Sequence, residues 1–464
     1  MGIFLSVTAL AIAFAGGVGI LLFLAPSTLR QSSAGFFGTA MVVGAGMLSL
    51  LSFILGFLVQ GAVLKWTVTA CCFVPLILGS IRSLRQPWKM RWPKIGVLQV
   101  LMATLLVGQV RFVTWLSLHR ADLGWDGLFL WEAKAHIAFR HHGALPLRFY
   151  TSGYPVTTPE YPVFLPQLQV WIYGWLGHTD QSLVKLIGPY LYLAAMLMLM
   201  SSVQGITKMS KAAIIPLLLL PAVPQLMVGY GSVSSGYADF PLGVVWLCAV
   251  VYAIEFCNTG SAAAARLTGL CAMFLAFVKS DGFIALACIT LTVAPKVLKH
   301  RNWKAGVWML APGFAVWLGW RTFLRVCHVA RSSYLLPVNW TTLVTHLNRI
   351  GTITHRTMQE LIAWDHWGIL WIATLAAAVF LATRRKRINS YPLVVNALLP
   401  LILYPCVFLF SAFGQVEDHM AVALSRLLVH NGLNAVLLVS TAVAVLFVGP
   451  DIPASARSGQ PWAQ

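Results

Sequence analysis

Between Asp122 and Gly143, in ADLGWDGLFLWEAKAHIAFRHHG, the chain places three carboxylates (Asp122, Asp126, Glu132), one ammonium (Lys134) and three imidazoles (His136, His141, His142). They fall within about six helical turns, in a protein where only 10% of residues are charged. Asp126, in the WDG turn, is the acid to single out, because a carboxylate held at the end of an apolar run can act as general base on a hydroxyl. Asp is also a preferred N-cap residue, so Asp122 and Asp126 equally suit the start of a helix. Lys134 and His136 fit phosphate binding, and they fit pairing with the nearby acids on a solvated face. His141 and His142 lack the HxxxH or HxH spacing that demands a metal, so a divalent cation is left open.

The elements that must position these groups are membrane spans. A hydrophobic fraction of 59% and a mean hydropathy of +0.79 exceed what a soluble core can bury, and mark a polytopic membrane protein. Apolar stretches long enough to cross occur at about 2–25, 36–60, 63–81, 95–118, 183–203, 212–228, 240–257, 265–279, 283–298, 305–325, 367–383, 391–413 and 432–449, an all-α arrangement of about thirteen helices. The net charge of +19 comes from bases such as Arg82, Lys208, Lys296, Arg301, Lys304 and Arg384 in short loops. If the spans alternate, these fall on one side, which the positive-inside bias makes cytoplasmic. Most of the acids then fall outside. No basic face with interleaved aromatics is present, which excludes a nucleic-acid partner.

Two outer segments, Leu118–Ser182 and Val326–His366, are too long for turns, and long loops in compact proteins are usually functional. In the first, Leu128, Trp131, Ala135 and Phe139 recur at helical spacing, which predicts an amphipathic helix lying on the membrane surface. The proline-rich GYPVTTPEYPVFLP and an aromatic stretch, Leu168–Trp175, follow. The second holds an amphipathic segment from about Trp340 to Ile362. The organisation read from the chain is accessory spans over 1–94, a membrane core over 95–449 and a disordered cytoplasmic tail over 450–464. Met1–Ala25 reads as a retained span rather than a signal peptide. The eight cysteines form no CxxC or Cys/His spacing and read as small hydrophobes.

A second group of ionisable residues is bounded by spans on both sides: Asp239 in GYADFPLG, and Lys279 with Asp281 in FVKSDGF. Such groups are costly to bury in lipid and normally face a cavity or a partner. With Arg321, Arg325 and Arg426, Lys279 would form a basic outer rim suited to phosphate or pyrophosphate. Snorkelling to headgroups is the competing role for those bases. The GYGSVSSG run at Gly229 lacks GxxxxGK, and no GxSxG is present.

Taken in order, WDGLFLWEAKAHIAFRHHG, EYPVFLPQLQVW, GYADFPLG, FVKSDG and RLLVH resemble the multi-span glycosyltransferases of the GT-C fold. The likeness is to bacterial members related to dolichyl-phosphate-mannose mannosyltransferases and undecaprenyl-phosphate-sugar users, over about Ile95 to Leu446. The resemblance implies transfer of a sugar, with inversion, from a polyprenyl phosphate to an acceptor glycan, lipid or protein outside the bacterial cytoplasmic membrane. It implies Asp126 as the acid, with Asp122 its competitor; Lys134, Lys279, Arg321 and Arg426 on the donor phosphate; and Glu132, His136, Tyr154, Glu160, Tyr161, Asp239 and Asp281 about the sugar and acceptor. Three spans precede the family's first core helix, and its paired acids are here spread over Asp122 and Asp126. A lipid-phosphate leaving group needs a base and a basic cradle but no nucleotide site, in keeping with the lack of any nucleotide signature. The rival classes are a transporter or flippase of a lipid-linked or small solute, which predicts mid-membrane polar residues and paired halves, and an assembly scaffold, which needs no clustered acids.

Overall fold

The computed structural model describes residues 1–24, 32–85, 95–120, 124–151, 158–329, 334–384 and 388–448; Asp122, Tyr154 and the tail 450–464 lie outside them. Among the described residues the chain is helical, and its one β pairing is the isolated bridge Leu335–Ser411. In order the principal helices are α1 (Gly2–Leu24), α2 (Ser33–Leu55), α3 (Gly61–Arg85), α4 (Val97–His119), α5 (Ala133–Arg140), α6 (Phe164–Leu176) and α7 (Ile187–Thr207). There follow α8 (Asp239–Thr259), α9 (Ala262–Val278), α10 (Gly282–His300), α11 (Trp303–Val326), α12 (Leu370–Thr383), α13 (Tyr391–Leu398), α14 (Pro400–Val407) and α15 (Val416–Val448). Nine helices among the described residues are long and apolar enough to cross a membrane, and three shorter apolar helices accompany them. A helix is the natural outcome for such runs, because in hydrocarbon each backbone N–H and C=O must find a partner within the segment. The chain is a multi-pass membrane protein.

Lipid offers no hydrophobic drive between helices, so close packing holds them, and small residues permit it. Where α1 crosses α2, a Cβ on Gly17 would stand 1.8 Å from the Ala40 carbonyl oxygen and one on Gly44 1.9 Å from that of Ala13. Gly19 likewise lies against the Leu76 backbone of α3, at 2.1 Å. The first three helices are joined to the rest: α2 packs on α7 and α6, and Trp171 Nε1 of α6 donates to the Ala9 carbonyl at 2.9 Å. Helix α8 lies at the centre, its residues from Asp239 to Val250 all buried.

The amphipathic helix expected on the membrane surface takes another form. Asp126–Glu132 is a π-helix that continues into α5, and such wide turns recur at functional sites. The expected apolar face is inside, with Trp131 and Ala135 both at 0% exposure, but so are polar residues: Glu132 is 1% exposed and Lys134 0%. The helix is therefore wedged between α6 and the following loop and does not lie flat with its charges in water. The reason is internal compensation: Tyr173 of α6 donates to one Glu132 oxygen and loop carbonyls accept from Lys134, as set out below.

The α1–α2 crossing yields a direct test. Gly44→Leu forces a side chain into the Ala13 backbone, beyond the roughly 1–3 kcal/mol typical of overpacking. The variant is expected to lose the α1–α2 pairing, read as earlier unfolding in a urea series and as protease cutting near residue 60 in detergent.

Candidate functional site

Helix ends build the site. Asp239 opens α8, Lys279 follows the last residue of α9, Asp281 precedes the first of α10, and α15 brings Arg426 and His430 on successive turns of one face. The short links α8–α9 and α9–α10 make antiparallel hairpins, so Asp239, Lys279 and Asp281 gather at one end of the bundle. From Arg426 to Val448 the helix alone is about 33 Å long at 1.5 Å per residue, close to the hydrocarbon thickness of about 30 Å. With Val448 at one face of the apolar layer, Arg426 would lie near the other.

Asp239 is the hub. Its carboxylate is fully buried, and its Oδ1 accepts from Lys279 Nζ at 2.7 Å and meets His430 Nε2 at 2.7 Å. Its Oδ2 has no hydrogen-bond partner and faces Arg426 Nη2 at 3.6 Å. Lys279 also reaches Asp281 Oδ2 at 2.9 Å. Burial opposes the Lys279 charge, but Asp239 and Asp281 outweigh it and hold the ammonium above its ordinary pKa. Behind the hub, His430 Nδ1 meets the hydroxyl of buried Tyr404 at 2.9 Å, giving a chain Tyr404–His430–Asp239. In front of it, Arg426 Nη1 pairs with Asp126 Oδ2 at 2.5 Å, both side chains partly exposed (16% and 19%).

The backbone makes room for this. Gly231, at φ +82°, lies where a Cβ would be 3.1 Å from Asp239 Cβ, and Gly124, at φ +64°, where one would be 2.7 Å from the Tyr237 hydroxyl. Only glycine takes both the left-handed conformation and the close approach cheaply. The Arg426 guanidinium stacks 4.7 Å from the Tyr237 ring centroid. Burial, foremost, pushes that phenol up to about 12.

A second cluster lies along the outer segment. Tyr173 donates to Glu132 Oε1 at 3.1 Å and His136 Nε2 meets the same oxygen at 3.2 Å, while Glu132 Oε2 is buried without a partner. Lys134 points the other way: its Nζ donates to the Thr158 carbonyl at 2.9 Å and to that of Tyr161 at 3.5 Å. Burial lowers its pKa to about 7, with Glu160 opposing. The Tyr161 ring stacks on Trp131 at 5.9 Å. Its hydroxyl pKa is raised by burial first, with Lys279 and Arg426 lowering it and Asp281 and Glu160 raising it further.

Of the residues singled out in the sequence, Asp126, Asp239, Lys279, Asp281 and Arg426 come together, with Tyr161 alongside and Glu132 and His136 in the neighbouring cluster. Lys134 is spent on loop carbonyls and does not face the basic site. Glu160 is held through its own carbonyl, which accepts from Trp320 Nε1 at 2.9 Å. Arg321 stands apart, exposed beside the Trp317 ring at 5.9 Å; its place on α11 points it away from the helix ends that meet. Asp122 and Tyr154 lie outside the described residues. His430, Tyr404, Tyr237 and Gly231 were not singled out, although a histidine four residues after Arg426 in an apolar run is the kind of intramembrane ionisable group that marks a site. No group of three or more potential His, Cys, Asp or Glu metal ligands occurs among the described residues.

The chain matches no protein-family model, no curated protein and no solved structure. What the site does must be read from its own chemistry: a carboxylate and a guanidinium at a partly open mouth, backed by a buried ion network.

Two outcomes test this geometry. Asp239→Asn leaves Lys279 and Arg426 short of a buried counter-charge and is expected to cost about 3–5 kcal/mol in unfolding in micelles, part of it recovered when Lys279→Met is added. For Lys134, folding lowers the pKa from 10.5 to about 7, so between these values the unfolded chain binds more protons and stability rises with pH. Thermal unfolding from pH 6 to 10 should show this rise, and Lys134→Met should flatten it.

Proposed function

We propose that the protein is a glycosyltransferase of the GT-C kind that moves a sugar from a polyprenyl-phosphate donor to an acceptor hydroxyl. The observation that carries the reading is the Asp126–Arg426 pair, 2.5 Å apart and partly exposed; the length of α15 after Arg426 matches the apolar layer and would bring the pair to its surface. There a lipid-borne phosphate and a water-borne acceptor can meet. On this reading the three shorter apolar helices and α11 cross together with the nine long ones, which makes thirteen crossings. The positive-inside bias then puts the bases at the other helix ends in the cytoplasm and the site on the outer face of a bacterial cytoplasmic membrane.

The chemistry follows from the residues. The acceptor oxygen attacks the anomeric carbon from the face opposite the phosphate, so the configuration inverts. The bond from that carbon to the phosphate oxygen breaks with its electron pair going to the oxygen, and the hydroxyl proton passes to the Asp126 carboxylate. Arg426 and, behind it, Lys279 offset the charge that develops on the leaving phosphate. At rest Arg426 is paired with Asp126; a phosphate that takes the guanidinium leaves that carboxylate a stronger base. Asp239 does not react: buried between Lys279 and His430, it holds the cations in place.

One observation favours a second reading. The buried Tyr404–His430–Asp239 chain is the kind of proton path that a proton-coupled translocator of a lipid-linked solute uses. Purified protein incubated with labelled polyprenyl-phosphate sugars separates the two. Transfer predicts release of polyprenyl phosphate, lost by about 10²–10⁴-fold in Asp126→Asn while donor binding persists. Full turnover in that variant would sink the assignment of the base, and solute movement in proteoliposomes without any release would favour translocation.

A further inference from the structure

A half-open cavity lined by none of the ion-network residues lies at the joint between the first helices and the outer segment. Its volume is about 410 Å³, within the roughly 300–1,000 Å³ of small-molecule sites. Its walls come from the end of α2 (Ser52), the start of α3 (Ala62, Leu64, Lys65), the end of α5 (Phe139, Arg140) and α6 (Val170, Trp171, Gly174). The lining is mostly apolar, it contains Lys65, Arg140 and His142, and it contains no acid. Neither Lys65 nor Arg140 pairs with a carboxylate among the described residues.

The surroundings place this cavity at a lipid boundary. Lys65 Nζ lies 5.3 Å from the ring centroids of both Trp66 and Trp175, and Trp66 is 57% exposed. Tryptophans with a lysine laid along them are the usual furniture of the headgroup level. The backbone joint is tight: Gly61 N–H donates to the His142 carbonyl at 2.7 Å, and a Cβ on Gly143 would stand 2.4 Å from Leu64 Cδ2. Two basic side chains at the rim of an apolar hollow complement an anionic headgroup carrying an acyl chain, and a soluble anion would leave the apolar wall unused.

We propose that this cavity seats one anionic phospholipid, its phosphate between Lys65 and Arg140 and its chain along Leu64, Val170 and Trp171. The lipid then ties α2 and α3 to α5 and α6, and so fixes the frame from which the π-helix carrying Asp126 and Glu132 extends. The site does not depend on the sugar-transfer reading.

Native mass spectrometry of the full chain, released from nanodiscs of phosphatidylglycerol or phosphatidylcholine, provides the test. Phosphatidylglycerol should be retained about tenfold better, because phosphatidylcholine carries the same phosphate with a choline cation that Lys65 and Arg140 repel, and Lys65→Gln with Arg140→Gln should bring the two lipids level. Gly174→Leu keeps both charges and, because a Cβ at 174 meets nothing within 4 Å, projects into open space without a clash; it should displace the lipid. Equal retention of the two lipids by the unaltered chain, or phosphatidylglycerol retention unchanged in either variant, overturns the proposal. So does competition by glycerol phosphate, which would make the ligand a soluble phosphate.

Discussion

A single buried carboxylate, that of Asp239, sets the geometry of the bundle's end. Removing an ion from water costs several kcal/mol even after relaxation, and only well-placed partners offset it. Asp239 obtains them from three directions: Lys279 after α9, His430 and Arg426 on α15. Lys279 and His430 are themselves out of water and Arg426 is mostly so, so losing any of them leaves the Asp239 charge short of a partner. Hairpins α8–α9 and α9–α10 and the long helix α15 are thereby held in register at the end where helix packing, driven only by shape, is least constraining.

The outer segment is tied to this frame by buried polar bonds. Lys134 holds the carbonyls of Thr158 and Tyr161, Tyr173 and His136 hold Glu132, and Trp320 of α11 holds the Glu160 carbonyl. Asp126 enters the site because the π-helix delivers it there, between the left-handed Gly124 and the buried Trp131. The segment that carries the most titratable groups is thus a folded part of the wall, which a catalytic carboxylate needs if it is to be held within fractions of an ångström.

Composition and hydropathy made the helical membrane class and the positions of the long helices legible, since a run of about 20 apolar residues has few other fates. Asp239, Lys279, Asp281 and Arg426 stood out because ionisable groups between spans are expensive. The fates of Lys134 and Glu132 were not legible. A charged residue on an amphipathic pattern reads as solvated, and only the fold supplies Thr158, Tyr161 and Tyr173 as buried partners. Arg321 failed for the converse reason: its place in the order of the chain fits a basic rim, but helical phase turns it toward Trp317 and the outside. His430, the last residue of RLLVH, was given no role because its partners Tyr404 and Asp239 come from other helices and only the fold brings them to it.

Charge count decides how an anion would enter. Asp126, Asp239 and Asp281 face two permanent cations, Lys279 and Arg426, so with a neutral His430 the resting cluster carries excess negative charge. A phosphate cannot be drawn in by net charge; it must exchange with a carboxylate already present. Exchange at Asp239 would strand a buried ion, at about 3–5 kcal/mol. Exchange at Asp126, whose side chain is partly exposed, frees a carboxylate that water or an acceptor hydroxyl can reach, and so costs less than at fully buried Asp239. On the proposed reading, the gradient of burial from Asp239 to Asp126 would direct an incoming phosphate to Asp126, and the group released there would be the one a transfer reaction needs as base.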